Sequence, residues 1–147
     1  MSVTLTVAEI LKATKGKLLQ GDPSVRVNGV SIDSRNFKRS ELFVAIKGEN
    51  HDGHAFVAPI ERLASAIVVS QRNLTFKTKI PVILVKDTTE ALGKIAFAHR
   101  QKFKIPIIAI TGSSGKTTTK DMLAAVLSSQ YKVLSNAGTQ NNQIGVP

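Results

Sequence analysis

The chain has 147 residues and no cysteine, which excludes disulfides, zinc–thiolate sites and thiol nucleophiles and leaves enough length for a core that needs no staples. With 42% hydrophobic and 20% charged residues it reads as a folded chain at home in water; no apolar run approaches the about 20 residues of a membrane-spanning helix, and the first residues lack the features of a signal peptide, so a cytoplasmic protein without membrane insertion is expected. A net charge of +10 spread over both halves, with only 5% aromatics for base stacking, predicts no nucleic-acid partner and favours a phosphorylated small ligand.

Thr6-Val-Ala-Glu9 is a capping-box pattern, and Val7, Ile10, Leu11 and Thr14 follow at helical spacing up to Gly16. Val25, Val27, Val30 and Ile32 predict extended chain running to Asp33-Ser34-Arg35, and polar residues 36–41 predict a loop. Leu42 to Ile46 reads as a buried strand, Lys47 to His54 as an exposed loop, 55–65 as a helix and Ala66 to Val69 as a further strand. After polar residues 70–79, the strand Pro81 to Val85 closes a small α/β unit. Asp87-Thr-Thr-Glu90 is a second capping box, opening a helix to about Lys104.

Beyond Pro106, Ile107 to Ile110 is the continuous apolar run expected of a central parallel strand. A glycine loop and a helix with Met122, Leu123, Val126 and Leu127 on one side follow, then a strand over Tyr131 to Leu134 and a polar segment to Pro147. The fold class is therefore α/β, with residues 1–85 as one small domain, 86–104 as a connecting helix and 105–147 as the start of a second domain. A parallel sheet needs more neighbouring strands than this second part supplies, which predicts that the chain is the N-terminal piece of a longer protein.

Thr111-Gly112-Ser113-Ser114-Gly115-Lys116-Thr117-Thr118, between that strand and helix, carries the strongest chemical signal. Backbone N–H groups curled at a helix N-terminus, with glycines letting them approach, suit phosphate oxygens. Lys116 can reach the outer phosphates, and the hydroxyl of Thr117 or Thr118 can complete the shell of a magnesium ion. The reading is a nucleotide site for Mg·ATP or Mg·GTP. The strict phosphate-loop pattern asks for glycine where this chain has Ile110, so the match is to a shorter form. The plain alternative is a glycine turn with a solvated lysine.

Other groups are less specific. Asp33-Ser34-Arg35 fits a turn with a surface ion pair as well as it fits a phosphate or nucleobase contact. His51, Asp52 and His54 lack a fourth ligand for a metal and read as a solvated or ligand-contacting loop. Asn141 and Asn142 fit either a turn cap or donors to a ligand near the glycine loop.

Three stretches together resemble the Mur ligases of peptidoglycan synthesis: Ser31 to Arg35 with Leu42 to His54, Ile110 to Met122, and Asn141 to Pro147. The resemblance is closest to the MurF type, which joins D-alanyl-D-alanine to UDP-N-acetylmuramoyl-tripeptide. It covers essentially the whole chain and accounts for Ile110, because the family's phosphate loop is short. It implies that the first domain holds the UDP end of the substrate through Ser31, Asp33, Ser34, Arg35, Lys47, Gly48 and His54, and that Thr111 to Thr118 bind ATP. It further implies Lys116 and Thr117 as catalytic groups, Thr117 as a Mg²⁺ ligand, Asn141 and Asn142 near the substrate, and activation of the peptide carboxylate as an acyl phosphate before amine attack. The family's remaining metal ligands and dipeptide site would lie beyond Pro147, so these residues alone are expected to bind a UDP-sugar or nucleotide without turnover.

Overall fold

The computed structural model describes residues 4–48 and 51–136. They fall into two compact units that divide between Phe103 and Lys104.

The first unit opens with β1 (Leu5–Thr6) leading directly into α1 (Val7–Thr14). The capping box forms as its sequence dictates: the Thr6 hydroxyl accepts the Glu9 N–H at 3.2 Å, and the Glu9 carboxylate accepts the Thr6 N–H at 2.7 Å. Val7 and Ile10 are thereby turned into the core, and β1 pairs antiparallel with β3 (Arg26–Val27). Helix α3 (Thr88–Arg100), whose expected capping box stays open because the Glu90 carboxylate pairs with Lys94 at 2.7 Å, is capped by Asp87 alone, which accepts the N–H groups of Thr89 and Glu90. It packs on α1, and Lys102 just beyond it pairs with Glu9 at 2.7 Å.

The sheet that organises this unit has the order β2 (Lys17–Gln20), β7 (Val82–Leu84), β6 (Ala66–Val69), β5 (Leu42–Val44), β4 (Val30–Ser31). Strands β4 to β7 are mutually parallel, and β2 runs antiparallel along the edge of β7. Every residue of β5, β6 and β7 is buried, as a parallel strand covered on both faces requires. One side of the sheet carries a cluster of Phe43, Ala45, Val57, Ile60, Ile67, Val69 and Val82, against which Phe37 packs edge-on to Phe43 with ring centroids 5.8 Å apart.

Three expectations are corrected. The helix read over 55–65 is a 3-10 turn (Gly53–Phe56) followed by the single turn α2 (Val57–Ile60). Pro59, the third residue of α2, lacks the N–H that would bond the Ala55 carbonyl and join α2 to the turn before it, and the chain turns away at Glu61, whose buried carboxylate accepts the Lys77 N–H at 2.9 Å. Strand β2 was not foreseen, because Lys17-Leu-Leu-Gln20 is extended only through its pairing with β7 and through the Gln20 amide, which donates to the carbonyls of Thr78 and Ile80. In the second unit, residues 107–110 and 131–134 are not strands. Among the described residues no neighbouring strand pairs with them, and Ile107, Ile108, Tyr131 and Leu134 are exposed, Leu134 to 98%. That unit's one described regular element is α4 (Lys116–Leu127), with Met122 and Val126 also exposed.

No described helix is long and apolar enough to cross a membrane. The closed capping box leads to a direct test: Thr6→Ala should lower the stability of the first unit by about 1 kcal/mol in chemical denaturation, whereas an unchanged midpoint would mean that the α1 packing holds without its cap.

Candidate functional site

Because β4, β5 and β6 are parallel, the segments that leave their carboxyl ends emerge at one edge of the sheet. There the structure brings together the turn around Asp33, the loop beginning at Lys47 and the residues after Val69. The predicted UDP-site residues Ser31, Asp33, Ser34 and Arg35 lie in the first, and Lys47, Gly48 and His54 in the second.

The Asp33 turn is held by its own side chains. Arg35 donates from Nε and Nη2 to the two Asp33 carboxylate oxygens, both at 2.9 Å, and its backbone N–H adds a bond at 3.0 Å. The Ser31 hydroxyl donates to the Asp33 carbonyl at 3.2 Å. The Arg35 fork holds the Asp33 carboxyl down at about 2 and raises the Arg35 guanidinium in turn. With its side chain 85% exposed, Arg35 still presents donors to solvent, so an ion pair and a solvent-facing cation coexist in one turn.

The 47–54 loop is anchored from below. Gly53 lies against the end of β5, where a Cβ would come within 2.8 Å of the Ile46 carbonyl oxygen, and its N–H donates to that same oxygen. His54 is only 5% exposed. Its Nε2 accepts the Ser70 N–H at 2.9 Å and so carries no proton; the Nδ1–H therefore donates to Asp52, 2.5 Å away. Asp52 also accepts the His54 N–H and the Gln71 side-chain amide, each at 2.9 Å, and the His54 backbone bond foremost lowers its pKa. Both ring nitrogens of His54 are thus occupied within the protein, and the residue positions the loop against β6. No group of three or more metal-ligating side chains occurs among the described residues. Ser70 and Gln71 were missed by sequence reasoning. The Asp52-x-His54 spacing signals the local turn, but nothing local points across 16 residues to Ser70.

In the second unit the glycine loop leads into α4. Gly112 has φ +153° and Gly115, the residue before the helix, φ +73°, both in the region that disfavours side chains. The first helical backbone bond runs from the Thr119 N–H to the Gly115 carbonyl at 2.9 Å, so the N–H groups of the preceding turn precede the ladder. Lys116 folds back, its ammonium donating to the Gly112 carbonyl. Thr111 to Gly115, Thr117 and Thr118 are exposed. These residues fit a polyphosphate: donors aimed outward at a helix N-terminus, no side chain in the way at Gly112 and Gly115, one cation at the loop, and threonine hydroxyls of the kind that complete a Mg²⁺ shell. Asn141 and Asn142 lie outside the described residues.

Comparison with known proteins agrees with this layout. Residues 26–100 match the Mur ligase family, catalytic domain, and residues 110–147 the Mur ligase middle domain. The UDP-N-acetylmuramoyl-tripeptide–D-alanyl-D-alanine ligase of Bacillus subtilis (strain 168) is 41% identical over 145 residues, covering 97% of this chain and 32% of the relative. A crystal structure of MurF from Acinetobacter baumannii superposes with TM-score 0.87 at 34% identity, over 97% of this chain and 32% of that one. MurF ligase from Thermotoga maritima in complex with ADP gives TM-score 0.71 at 30% identity, over 80% of this chain and 27% of that one. The chain thus spans about a third of the length of the relatives it matches.

The fork between Arg35 and Asp33 sets a pH expectation. The folded carboxyl titrates near 2, below its ordinary 3.8, so the turn's stabilisation is complete above the ordinary value and is lost as pH falls toward the folded one. Carbon-detected NMR titration should find Asp33 near that low midpoint, and Arg35→Ala should move it back toward the ordinary value; the same midpoint in both proteins would deny the fork.

Proposed function

The chain belongs to the Mur ligase family, and on that premise we propose that it carries the UDP-sugar-binding and nucleotide-binding parts of a MurF-type, ATP-dependent ligase joining D-alanyl-D-alanine to UDP-N-acetylmuramoyl-tripeptide. The observation that carries this reading is the match along nearly the whole chain to ligases of that printed activity, at about 40% identity, with the glycine loop at the start of α4 falling inside the match. Nucleotide-linked substrates and ATP suit a cytoplasmic location. Residues 1–85 serve as the UDP-sugar domain, 86–104 as the connecting helix and the residues from 105 as the beginning of the ATP domain; the division of the described residues between Phe103 and Lys104 supports the start near 105, while α3 packs on α1 inside the first unit.

Each group then has a physical task. Arg35, fixed by Asp33, offers a preoriented guanidinium to the anionic UDP end, while Lys47 and the Gly48 backbone present charge and a side-chain-free surface beside it. His54 holds this loop in place through Asp52 and Ser70. At the glycine loop, the backbone N–H groups of Gly112 to Lys116 bind and orient phosphate oxygens, and Lys116 exchanges its internal bond with Gly112 for a stronger one to an anion. Thr117, with Thr118 next to it in the chain, would hold a Mg²⁺ ion through its hydroxyl. When bound, Mg·ATP supplies the phosphoryl group that turns an unreactive peptide carboxylate into an acyl phosphate open to the dipeptide's amine.

Two substitutions separate the sites. Lys116→Ala should weaken ATP binding about tenfold or more, since a charge-assisted contact is worth roughly 1.5–3 kcal/mol; calorimetry that finds ATP affinity unchanged would remove Lys116 from the site. Arg35→Ala should weaken UDP-sugar binding and leave ATP affinity alone. Equal losses of both ligands would contradict the division of labour.

A further inference from the structure

At the other end of the same sheet edge, where β6 and β7 finish and β2 begins, lies a groove of about 280 Å³ lined by Lys15, Lys17, Ser70, Arg72, Leu84, Val85 and Lys86. We propose that it is an anion site, distinct from the glycine loop, that takes a small soluble diphosphate-type group on the cations Lys15, Lys17, Arg72 and Lys86.

Charge is the first argument. These side chains come from three separate parts of the chain, the end of α1 with the start of β2, the segment after β6 and the segment after β7, yet all converge on one concavity. None of them forms an ion pair or side-chain hydrogen bond among the described residues. Asp87, next to Lys86 in the chain, caps α3, and Asp52 holds His54 and Gln71. Like charges gathered without a counter-charge repel one another, and a multivalent anion between them reverses the sign of that interaction.

Backbone geometry is the second. Lys15, the residue after α1, has φ +54°, a conformation in which glycine or asparagine is the usual choice, and Gly16 stands next to it. A lysine is kept where the local backbone favours glycine, and that conformation places it on the groove. Shape narrows the ligand class. The groove is concave, floored by the buried Leu84 and Val85, and contains no aromatic ring on which a base could stack. A compact phosphate group fits such a site better than a flat lipid surface or a nucleic-acid strand.

The groove also touches the first candidate site, because Ser70, on its wall, donates its N–H to His54. The inference itself stands without the ligase reading, since it rests only on this chain's charges and backbone.

The test titrates inorganic pyrophosphate by calorimetry at physiological salt into the Lys116→Ala chain, so that the glycine loop's contribution is weakened and the groove variants report on the remainder. Binding should persist, Arg72→Ala with Lys86→Ala should weaken it at least tenfold, and Lys77→Ala with Lys79→Ala, which removes the same charge from exposed positions elsewhere, should leave it within twofold. Absence of binding in the Lys116→Ala chain, or an equal loss in the two double variants, would overturn the proposal. Competition by UDP in the same titration identifies the diphosphate as that of a nucleotide, and its absence identifies a free anion; either result follows only once the groove binds.

Discussion

A parallel strand satisfies its backbone only between two neighbours and must be covered on both faces, and this requirement governs both halves of the molecule. In the first unit it is met: β5, β6 and β7 lie between partners, all their residues are buried, and the ladder leaves their carboxyl ends flush along one edge. In the second unit the apolar segment at 107–110 has the composition of such a strand and no partner among the described residues, so Ile107 and Ile108 stay exposed. The same physics thus builds a sheet in one place and withholds it in the other.

The proposed UDP-sugar site rests on the flush edge. Loops anchored to adjacent parallel strands are brought within one ligand's reach without any contact between them in sequence. The rigid parts of these loops come from inside: His54 is locked by Asp52 and Ser70, and Gly53 is held against Ile46. Arg35 is held by the Asp33 carboxylate with its side chain still largely exposed. Pre-orientation of this kind lowers the entropy lost when an anion is bound. The proposed nucleotide site would use a different device, in which donors come from backbone at a helix start and the glycines only keep out of the way.

Much of the local structure is legible from the residues alone. The Thr6-to-Glu9 capping box forms as read, since its partners lie within one helical turn, whereas of the Asp87-to-Glu90 pattern only the Asp87 cap forms and Glu90 pairs with Lys94. The apolar runs at 42–46, 66–69 and 81–85 become strands because continuous burial has few other outcomes in a chain of this size. The glycine loop likewise declares its chemistry, as positive φ is demanded at Gly112 and Gly115 by the turn itself. Less legible is the break after Ile60, where the chain turns away at the buried Glu61 and ends a helix that periodicity alone would carry to residue 65.

By itself, then, the sequence determined the helix starts, the buried strands, the phosphate-shaped loop and the family, all of which depend on spacings of a few residues or on composition. Only the tertiary structure decided that Lys17 to Gln20 is an edge strand, that His54 is a buried anchor bonded to Ser70, that Asp33 and Arg35 form a two-pronged pair, and that four lysines and arginines meet in one groove. The reason is physical: apart from the Asp33 pair, whose geometry depends on how the chain leaves β4, each of these contacts joins segments far apart in the chain. Their stability comes from a sheet order that no local pattern encodes.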